Sequence, residues 1–155
     1  MPTQPTGVRM IQLGRPLRPE RFSCRIYGVL RRGPRVLMAR SHFIRQEFVN
    51  FPGGGVELGE APIEALKREY REETGLEIAP ARVLYASEGA HPSSHAPMQI
   101  VSIYWLVESV GGALREGGNG DDVIDLFWAE LASIPTAEMF PSDLEFAARL
   151  PTLLR

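Results

Sequence analysis

A glycine-rich turn that leads into a helix with three clustered glutamates constrains this chain more than any other stretch. Residues 51–76 read FPGGGVELGEAPIEALKREYREETGL. Pro62 suits the first position of a helix, and Gly75 suits the left-handed residue that follows the last turn. Because no glycine or proline lies between them, the sequence predicts one continuous helix over this interval.

The predicted helix has three distinguishable faces. At about 100° per residue, three carboxylates share one side, those of Glu69, Glu72 and Glu73. An apolar stripe lies next to them and is predicted to face the core, formed by Ile63, Leu66 and Tyr70. The side away from that stripe is predicted to face solvent and carries Glu64, Lys67 and Arg71. The glutamates therefore flank the core, where the wall of a cleft would lie.

Clustered glutamates at this end of a helix are unfavourable unless something compensates them. Like charges one turn apart repel each other, and the helix dipole disfavours negative charge at the C-terminus. A bound Mg²⁺ would compensate them, since this cation takes oxygen ligands from a few carboxylates and from substrate phosphates. The alternative is a solvated charged face in which Arg68 pairs with Glu72. The glycine turn before the helix favours the metal site.

The same residues carry a family resemblance. The stretch resembles the Nudix box, the signature of the Nudix hydrolases, which cleave nucleoside diphosphates linked to another group. Every fixed position of the box is matched, by Gly54, Glu60, Arg68, Glu69, Glu72, Glu73, Gly75 and Leu76. Tyr70 departs mildly from the pattern, because the family usually has an aliphatic residue there, and this change is expected to alter core packing more than chemistry.

The resemblance implies roles for the residues of the box. It implies that the metal, Mg²⁺ with Mn²⁺ as a substitute, is held by Glu69, Glu72 and Glu73 and by the carbonyl of Gly53. For Glu60 two roles stay open, a metal contact or a favourable charge at the helix N-terminus. Arg68 is expected to orient carboxylates through charge-assisted hydrogen bonds. The proton acceptor is hypothesised to be Glu72 or Glu73.

The remaining sequence predicts an α/β fold. Alternation predicts a hairpin of strands at 21–31 and 35–40, a strand at 76–87 interrupted near Pro80, a long central strand at 98–110, a last strand at 123–129 and a closing helix at 141–150. This order fits the family's α/β/α sandwich around a mixed β-sheet. Residues 1–20 are predicted to be an N-terminal arm and 21–155 a single domain. Ser142 or Asp143 is predicted to cap the closing helix.

Three loops are expected to select the substrate. The segment 41–50 lacks strong periodicity and is interpreted as a bridge to the box, with His42, Arg45 and Gln46 as substrate contacts implied by the resemblance. The resemblance also implies a further ligand or base before the last strand, at Asp121 or Asp122. In the resembling family, subfamilies that act on ADP-ribose tend to carry a proline 16 residues beyond the box, which here is Pro92 in the third loop, residues 88–97. Ordinary loop positions remain the alternative for each.

Composition limits the remaining function classes. The chain of 155 residues has one cysteine, Cys24, which excludes an internal disulfide and is interpreted as a buried small hydrophobe. No apolar run approaches the roughly 18 residues that span a bilayer, and the first ten residues lack the apolar core of a signal peptide. A cytoplasmic location is therefore expected. Ten arginines precede Glu47 against one acid, Glu20, but without the interleaved aromatics of a single-strand binder, which disfavours a nucleic-acid partner.

The sequence thus predicts a metal-dependent hydrolase of the pyrophosphate linkage in a nucleoside diphosphate derivative. ADP-ribose or a nucleotide sugar is the favoured substrate. Hydrolysis of a nucleoside triphosphate is the first alternative, and a module that binds nucleotides without cleaving them is the second. The expected partner is a small nucleotide, and both a monomer and a homodimer remain open.

Overall fold

The computed structural model of the chain describes residue 11, residues 13–43 and residues 45–155. Residues 1–10 and 12 of the predicted arm therefore lie outside the described residues. The described strands are β1 (Arg21–Arg32), β2 (Arg35–Phe43), β3 (Gln46–Asn50), β4 (Gly53–Gly55), β5 (Leu76–Ala86), β6 (His91–Pro92), β7 (Met98–Gly112) and β8 (Val123–Glu130). The α-helices are α1 (Pro62–Thr74), α2 (Pro141–Ala147) and α3 (Leu150–Leu153), and 3₁₀ turns occupy Leu131–Ser133 and Thr136–Glu138.

The described strands form one mixed sheet with the central order β3-β2-β1-β7-β5. Strand β1 runs parallel to β7 from the pair Arg21–Met98 to the pair Leu30–Val107. The predicted β1–β2 hairpin is present, but its strands pair only next to the turn. Beyond the turn they diverge, since β1 joins β7 and β4 whereas β2 joins β3 and β8.

Helices cover both faces of the sheet, as the α/β/α prediction requires. Successive residues of β1 and β2 alternate between two buried apolar clusters. One cluster lies under α1 and contains Ile26, Leu37, Leu66, Tyr70 and Val107. The other lies under α2 and α3 and contains Val29, Met38, Tyr104, Phe146 and Leu150. Each helix therefore buries its apolar stripe on one face of the sheet.

Helix α1 matches its prediction closely. It begins at Pro62 and ends at Thr74, and the residue that caps it is Gly75, whose φ of 79° is left-handed and whose N–H donates to the carbonyl of Arg71. Leu66 and Tyr70 are fully buried. The hydroxyl of Tyr70 donates to the carbonyl of Gly28 on β1 at 2.7 Å. The unusual tyrosine of the box thus satisfies its polar atom inside the core.

We expect Gly28→Ala to lower the free energy of unfolding by about 1–3 kcal/mol, because the site under Tyr70 has no room for a methyl group. A Cβ at Gly28 would lie 2.6 Å from Cε2 of Tyr70 and 3.1 and 3.2 Å from the methyl carbons of Val107. Gly111→Ala is the matched control, since its Cβ would meet nothing closer than 3.6 Å. Equal urea-denaturation midpoints for the two variants would contradict this packing.

Two sequence-based interpretations of the strand region are wrong. Segment 41–50 is not an irregular bridge: β2 extends to Phe43 and pairs with β3 down to the register Phe43–Gln46, with Arg45 at a left-handed φ of 62°. Cys24 is exposed rather than buried. Its neighbour on the same face, Phe22, is 73% exposed, because the apolar packing of β1 begins only at Ile26.

The closing helix is also capped differently from the prediction. Its cap residue is Phe140, and neither Ser142 nor Asp143 makes a capping side-chain bond. Asp143 instead accepts a hydrogen bond from the Tyr104 hydroxyl at 2.6 Å. The helix of the prediction is moreover divided into α2 and α3. None of the helices in the described part of the chain is long and apolar enough to cross a bilayer.

Candidate active site

A cavity of about 460 Å³ opens between the box and the loops on the same side of the sheet. Its wall contains six of the residues for which a catalytic, metal-binding or substrate-binding role was predicted, namely His42, Gly53, Glu69, Glu73, Pro92 and Asp122. The box and the loops predicted to select the substrate therefore meet in one place. The roles assigned to these residues remain predictions.

Glu73 is the most deeply buried acid of the box, with 4% of its surface exposed. Its Oε2 accepts the backbone N–H of Gly53 at 2.8 Å, which joins the last turn of α1 to β4. Gly53 itself leaves no room for a side chain, because a Cβ would lie 2.2 Å from the carbonyl oxygen of Ile26. Burial raises the pKa of Glu73 well above its usual range, and the charges of Glu69 and Asp122 add to the effect against the Gly53 hydrogen bond.

Glu69 lies beside the next glycine of the turn. A Cβ at Gly54 would lie 2.7 Å from both Cδ and Oε1 of Glu69, so the carboxylate occupies the space that the glycine leaves. Burial raises the pKa of Glu69, and the hydrogen bond from Arg68 opposes that shift. The glycine turn thus brings two carboxylates to the same wall of the cavity, the partly buried one of Glu69 and the buried one of Glu73.

Arg68 holds the other box carboxylates in place. Its Nε and Nη2 donate to the two carboxylate oxygens of Glu60 at 2.7 and 3.0 Å. Its Nη1 donates to Glu69 at 3.0 Å and to Glu72 at 3.3 Å. Glu60 therefore engages Arg68 and is not the cap residue of α1, which is Ala61. The Glu72 side chain is 57% exposed, and neither Glu60 nor Glu72 belongs to the cavity wall.

One further acid of the cavity wall is Asp122, which lies in the loop before β8 next to the β2–β3 hairpin. His42 N–H donates to the carbonyl of Asp122 at 2.8 Å, which fixes this loop against β2. The Asp122 charge raises the pKa of both Glu69 and Glu73, so the three carboxylates act on one another. Asp121, Arg45 and Gln46 lie outside the wall of the cavity.

Sequence reasoning missed a second polar group in the cavity. Arg25 and Tyr27 on β1 and Asp143 on α2 all line it. Arg25 Nε donates to the Tyr27 hydroxyl at 2.7 Å. Within the described residues, no carboxylate lies within ion-pair distance of Arg25. The only signal in the sequence was the polar side of the alternating pattern in β1, which does not reveal what that side faces.

Asp143 gives this group a pH dependence that bears on stability. It is 3% exposed, and burial raises its pKa to about 6, against the hydrogen bond from Tyr104 and the charge of Arg25. A raised carboxyl pKa means that the fold favours the protonated form. The resulting stability is fully present below the usual pKa of about 3.9 and is lost as the pH rises through about 6.

We therefore expect the free energy of unfolding of the wild type to fall by about 2 kcal/mol relative to Asp143→Asn between pH 4 and pH 7. Asparagine retains an oxygen that can accept the Tyr104 hydrogen bond but does not titrate. Urea denaturation of both proteins at several pH values measures the difference, in which the other titrating groups cancel. A difference that is constant with pH would contradict the raised pKa.

The acidic side chains of this cavity wall are of the chemical type that binds a divalent cation. Glu69, Glu73 and Asp122 provide hard oxygen donors, and their mutual repulsion and burial are the costs that a cation would offset. Gly53 and Gly54 keep the backbone free of side chains at this point. Among the residues that the structure describes, however, no three His, Cys, Asp or Glu side chains are arranged as a metal-binding group. A cation held by all three carboxylates at once would therefore require these side chains to move together.

Comparison with known proteins supports the family resemblance of the box. A family model described as the NUDIX domain matches residues 21–150. An ADP-ribose pyrophosphatase of Methanocaldococcus jannaschii is 35% identical over 86 residues, which cover 54% of this chain and 47% of that enzyme. An 8-oxo-dGTP diphosphatase of Haemophilus influenzae is 31% identical over 108 residues, or 66% of this chain and 69% of that enzyme. The similarity thus spans less than half the length of the archaeal relative.

A solved structure shares the fold. The solution structure of the E. coli ORF135 protein matches with a TM-score of 0.71 at 22% identity, over 86% of this chain and 91% of that chain. At this level of identity the likeness concerns the fold alone. The shared fold is a mixed sheet with helices, and in this chain that sheet carries the cavity described above.

Proposed function

The chain belongs to the Nudix hydrolase family, and we propose that it hydrolyses the pyrophosphate linkage of a nucleoside diphosphate derivative with the help of Mg²⁺ or Mn²⁺. The observation that carries the proposal is the composition of one cavity wall. Glu69, Glu73 and Asp122 offer oxygen ligands to a cation, and Arg25 offers a guanidinium without a carboxylate partner among the described residues. Both kinds of group stabilise the charge of a pyrophosphate that is bound together with a cation.

The cation would supply two effects when bound: it would neutralise phosphate charge and lower the pKa of a bound water. The chain's own residues then position the reactants. Arg68 fixes Glu69 through the 3.0 Å hydrogen bond. Arg25 faces the same cavity and donates a charge-assisted hydrogen bond to an anionic oxygen of the substrate. These groups favour a phosphate bridge over a neutral ligand.

Two glutamates are candidates for the group that accepts the proton of the attacking water. Glu73 is the better placed, because it lines the cavity, and its Oε2 is held by Gly53 while Oε1 remains to accept a proton. Glu72 is the alternative, and its exposed carboxylate would have to leave Arg68 to reach the substrate.

ADP-ribose or a nucleotide sugar is the favoured substrate. Pro92, the residue at the spacing typical of ADP-ribose subfamilies, lies in the cavity wall, and the archaeal relative is named an ADP-ribose pyrophosphatase. Hydrolysis of a nucleoside triphosphate is the second candidate, since the Haemophilus relative is named an 8-oxo-dGTP diphosphatase and matches over a larger share of both proteins. We further expect the reaction to take place in the cytoplasm.

A panel of nucleotides with Mg²⁺ tests the proposal. ADP-ribose, nucleotide sugars and nucleoside triphosphates are incubated with the protein, and nucleoside monophosphate, phosphate and pyrophosphate are measured. Monophosphate release without pyrophosphate from ADP-ribose or a nucleotide sugar supports the favoured substrate class, whereas pyrophosphate release from a triphosphate supports the alternative. Nucleotide binding without turnover on any compound would overturn the enzymatic proposal in favour of a binding module.

A further inference from the structure

A segment before the matched family domain contributes to the cavity. The N-terminal strap, defined as Ile11 and residues 13–20, precedes the family match at residues 21–150. Three backbone hydrogen bonds attach it to the domain. Ile11 N–H donates to Ala137 at 3.0 Å, Leu17 N–H to Ser93 at 3.0 Å and Glu20 N–H to Pro97 at 2.9 Å. The strap is therefore fixed at three points.

The strap forms part of the cavity wall. Leu13, Gly14 and Pro16 all line it. At Gly14 a Cβ would lie 3.5 Å from the Cβ of Ser94, so the backbone is in close contact with the loop that joins β6 to β7. Leu13 is nonetheless 51% exposed, although it is a large aliphatic residue. Its side chain is available to a ligand in the cavity.

Aromatic side chains line the same cavity. The rings of Phe43 and His95 lie 5.4 Å apart, those of His95 and Phe140 lie 6.0 Å apart, and those of Phe48 and Phe140 lie 4.8 Å apart. All four residues belong to the wall. His95 lies two residues from Ser93, which accepts the hydrogen bond of the strap. The strap and the rings together provide apolar surface that is distinct in chemistry from the wall of Glu69 and Glu73.

We propose that the strap is a part of the substrate site that sets specificity: Leu13 and Pro16, together with the aromatic side chains, bind the nucleobase of the nucleotide. A nucleobase is planar and largely apolar on its faces, so it gains from aliphatic and aromatic contacts that a ribose phosphate does not make. This inference rests on the proposed function for the identity of the ligand as a nucleotide. Its test uses binding, so that it does not depend on turnover.

The experiment compares two ligands that differ by the base. Affinities for AMP and for ribose 5-phosphate are measured by calorimetry with the full chain. We expect Leu13→Ala to weaken AMP binding about fivefold, because it removes apolar contact area, and to leave ribose 5-phosphate binding unchanged. Val83→Ala is the matched control, since Val83 on β5 is 50% exposed and is not part of the cavity wall.

A second variant tests the attachment of the strap. Leu17→Pro removes the N–H that donates to Ser93, and we expect AMP binding to weaken about threefold, as the loss of one hydrogen bond implies. Circular dichroism verifies that each variant is folded. Unchanged discrimination between AMP and ribose 5-phosphate in both variants, with a wild type that binds AMP, would overturn the role of the strap. A wild type that binds AMP no more tightly than ribose 5-phosphate would overturn this inference alone, because the proposed function is tested by turnover in the nucleotide panel.

Discussion

Glu69→Gln is expected to lower kcat/KM for the preferred nucleotide by about 10³-fold, with little change in stability. The substitution removes one negative charge from the wall that also contains Glu73 and Asp122. A bound cation stabilises the transition state of a charged phosphate by several kcal/mol. Weakening its binding site is therefore expected to lower the rate by a factor of this size. The fold has no need of the charge, because burial already disfavours it.

Glu64→Gln is the matched control for this prediction. Glu64 lies on the exposed side of the same helix, and its carboxylate accepts the Ala61 N–H at 3.3 Å, a role that glutamine also performs. Steady-state kinetics and urea denaturation of both variants complete the test. Activity of Glu69→Gln within about tenfold of Glu64→Gln would remove Glu69 from the proposed metal site.

Gly54→Ala is expected to lower kcat/KM by about 10- to 100-fold, the usual cost of displacing a group that orients a ligand. The added Cβ would lie 2.7 Å from the Glu69 carboxylate, so that side chain must move away from the turn. The next glycine provides the control. A Cβ at Gly55 would meet only Nη1 of Arg25, at 3.9 Å, and Gly55→Ala should retain nearly full activity.

The two glycine variants separate steric effects on the site from a general loss of the turn. Both change one glycine of β4 to alanine, and only one of them displaces a carboxylate. Equal kinetics for Gly54→Ala and Gly55→Ala would contradict the position assigned to Glu69. Equal losses of stability would point instead to the strand pairing of β4 with β1.

Helix α1 and strand β7 were predictable because their signals are local. Proline and glycine define the ends of α1, and the apolar β-branched run of residues 98–110 identifies a central strand. The β2–β3 hairpin was missed for an equally local reason. Its tip contains polar residues, and the left-handed position is occupied by Arg45 rather than by glycine, so neither alternation nor turn chemistry revealed it.

The polar part of the site depends on contacts that no local pattern specifies. Asp143 is of a residue type that often caps helices. Its carboxylate instead accepts a hydrogen bond from the hydroxyl of Tyr104, which lies 39 residues earlier in the chain. Arg25 and Cys24 are neighbours on β1, yet one faces the cavity and the other solvent. Alternation correctly divides the two sides of this strand, and only the tertiary packing decides which side is buried.

Cation dependence of hydrolysis is the most direct test of the central claim, that the carboxylates of the box and the loop before β8 hold a divalent metal for phosphoanhydride cleavage. With the best substrate of the nucleotide panel, the rate of monophosphate release is measured after chelation and then as Mg²⁺ is restored. We predict no turnover in the chelated protein, recovery as Mg²⁺ is added, and a recovery about 10³-fold smaller for Glu69→Gln over the same concentrations. Undiminished hydrolysis in the presence of the chelator would contradict the claim.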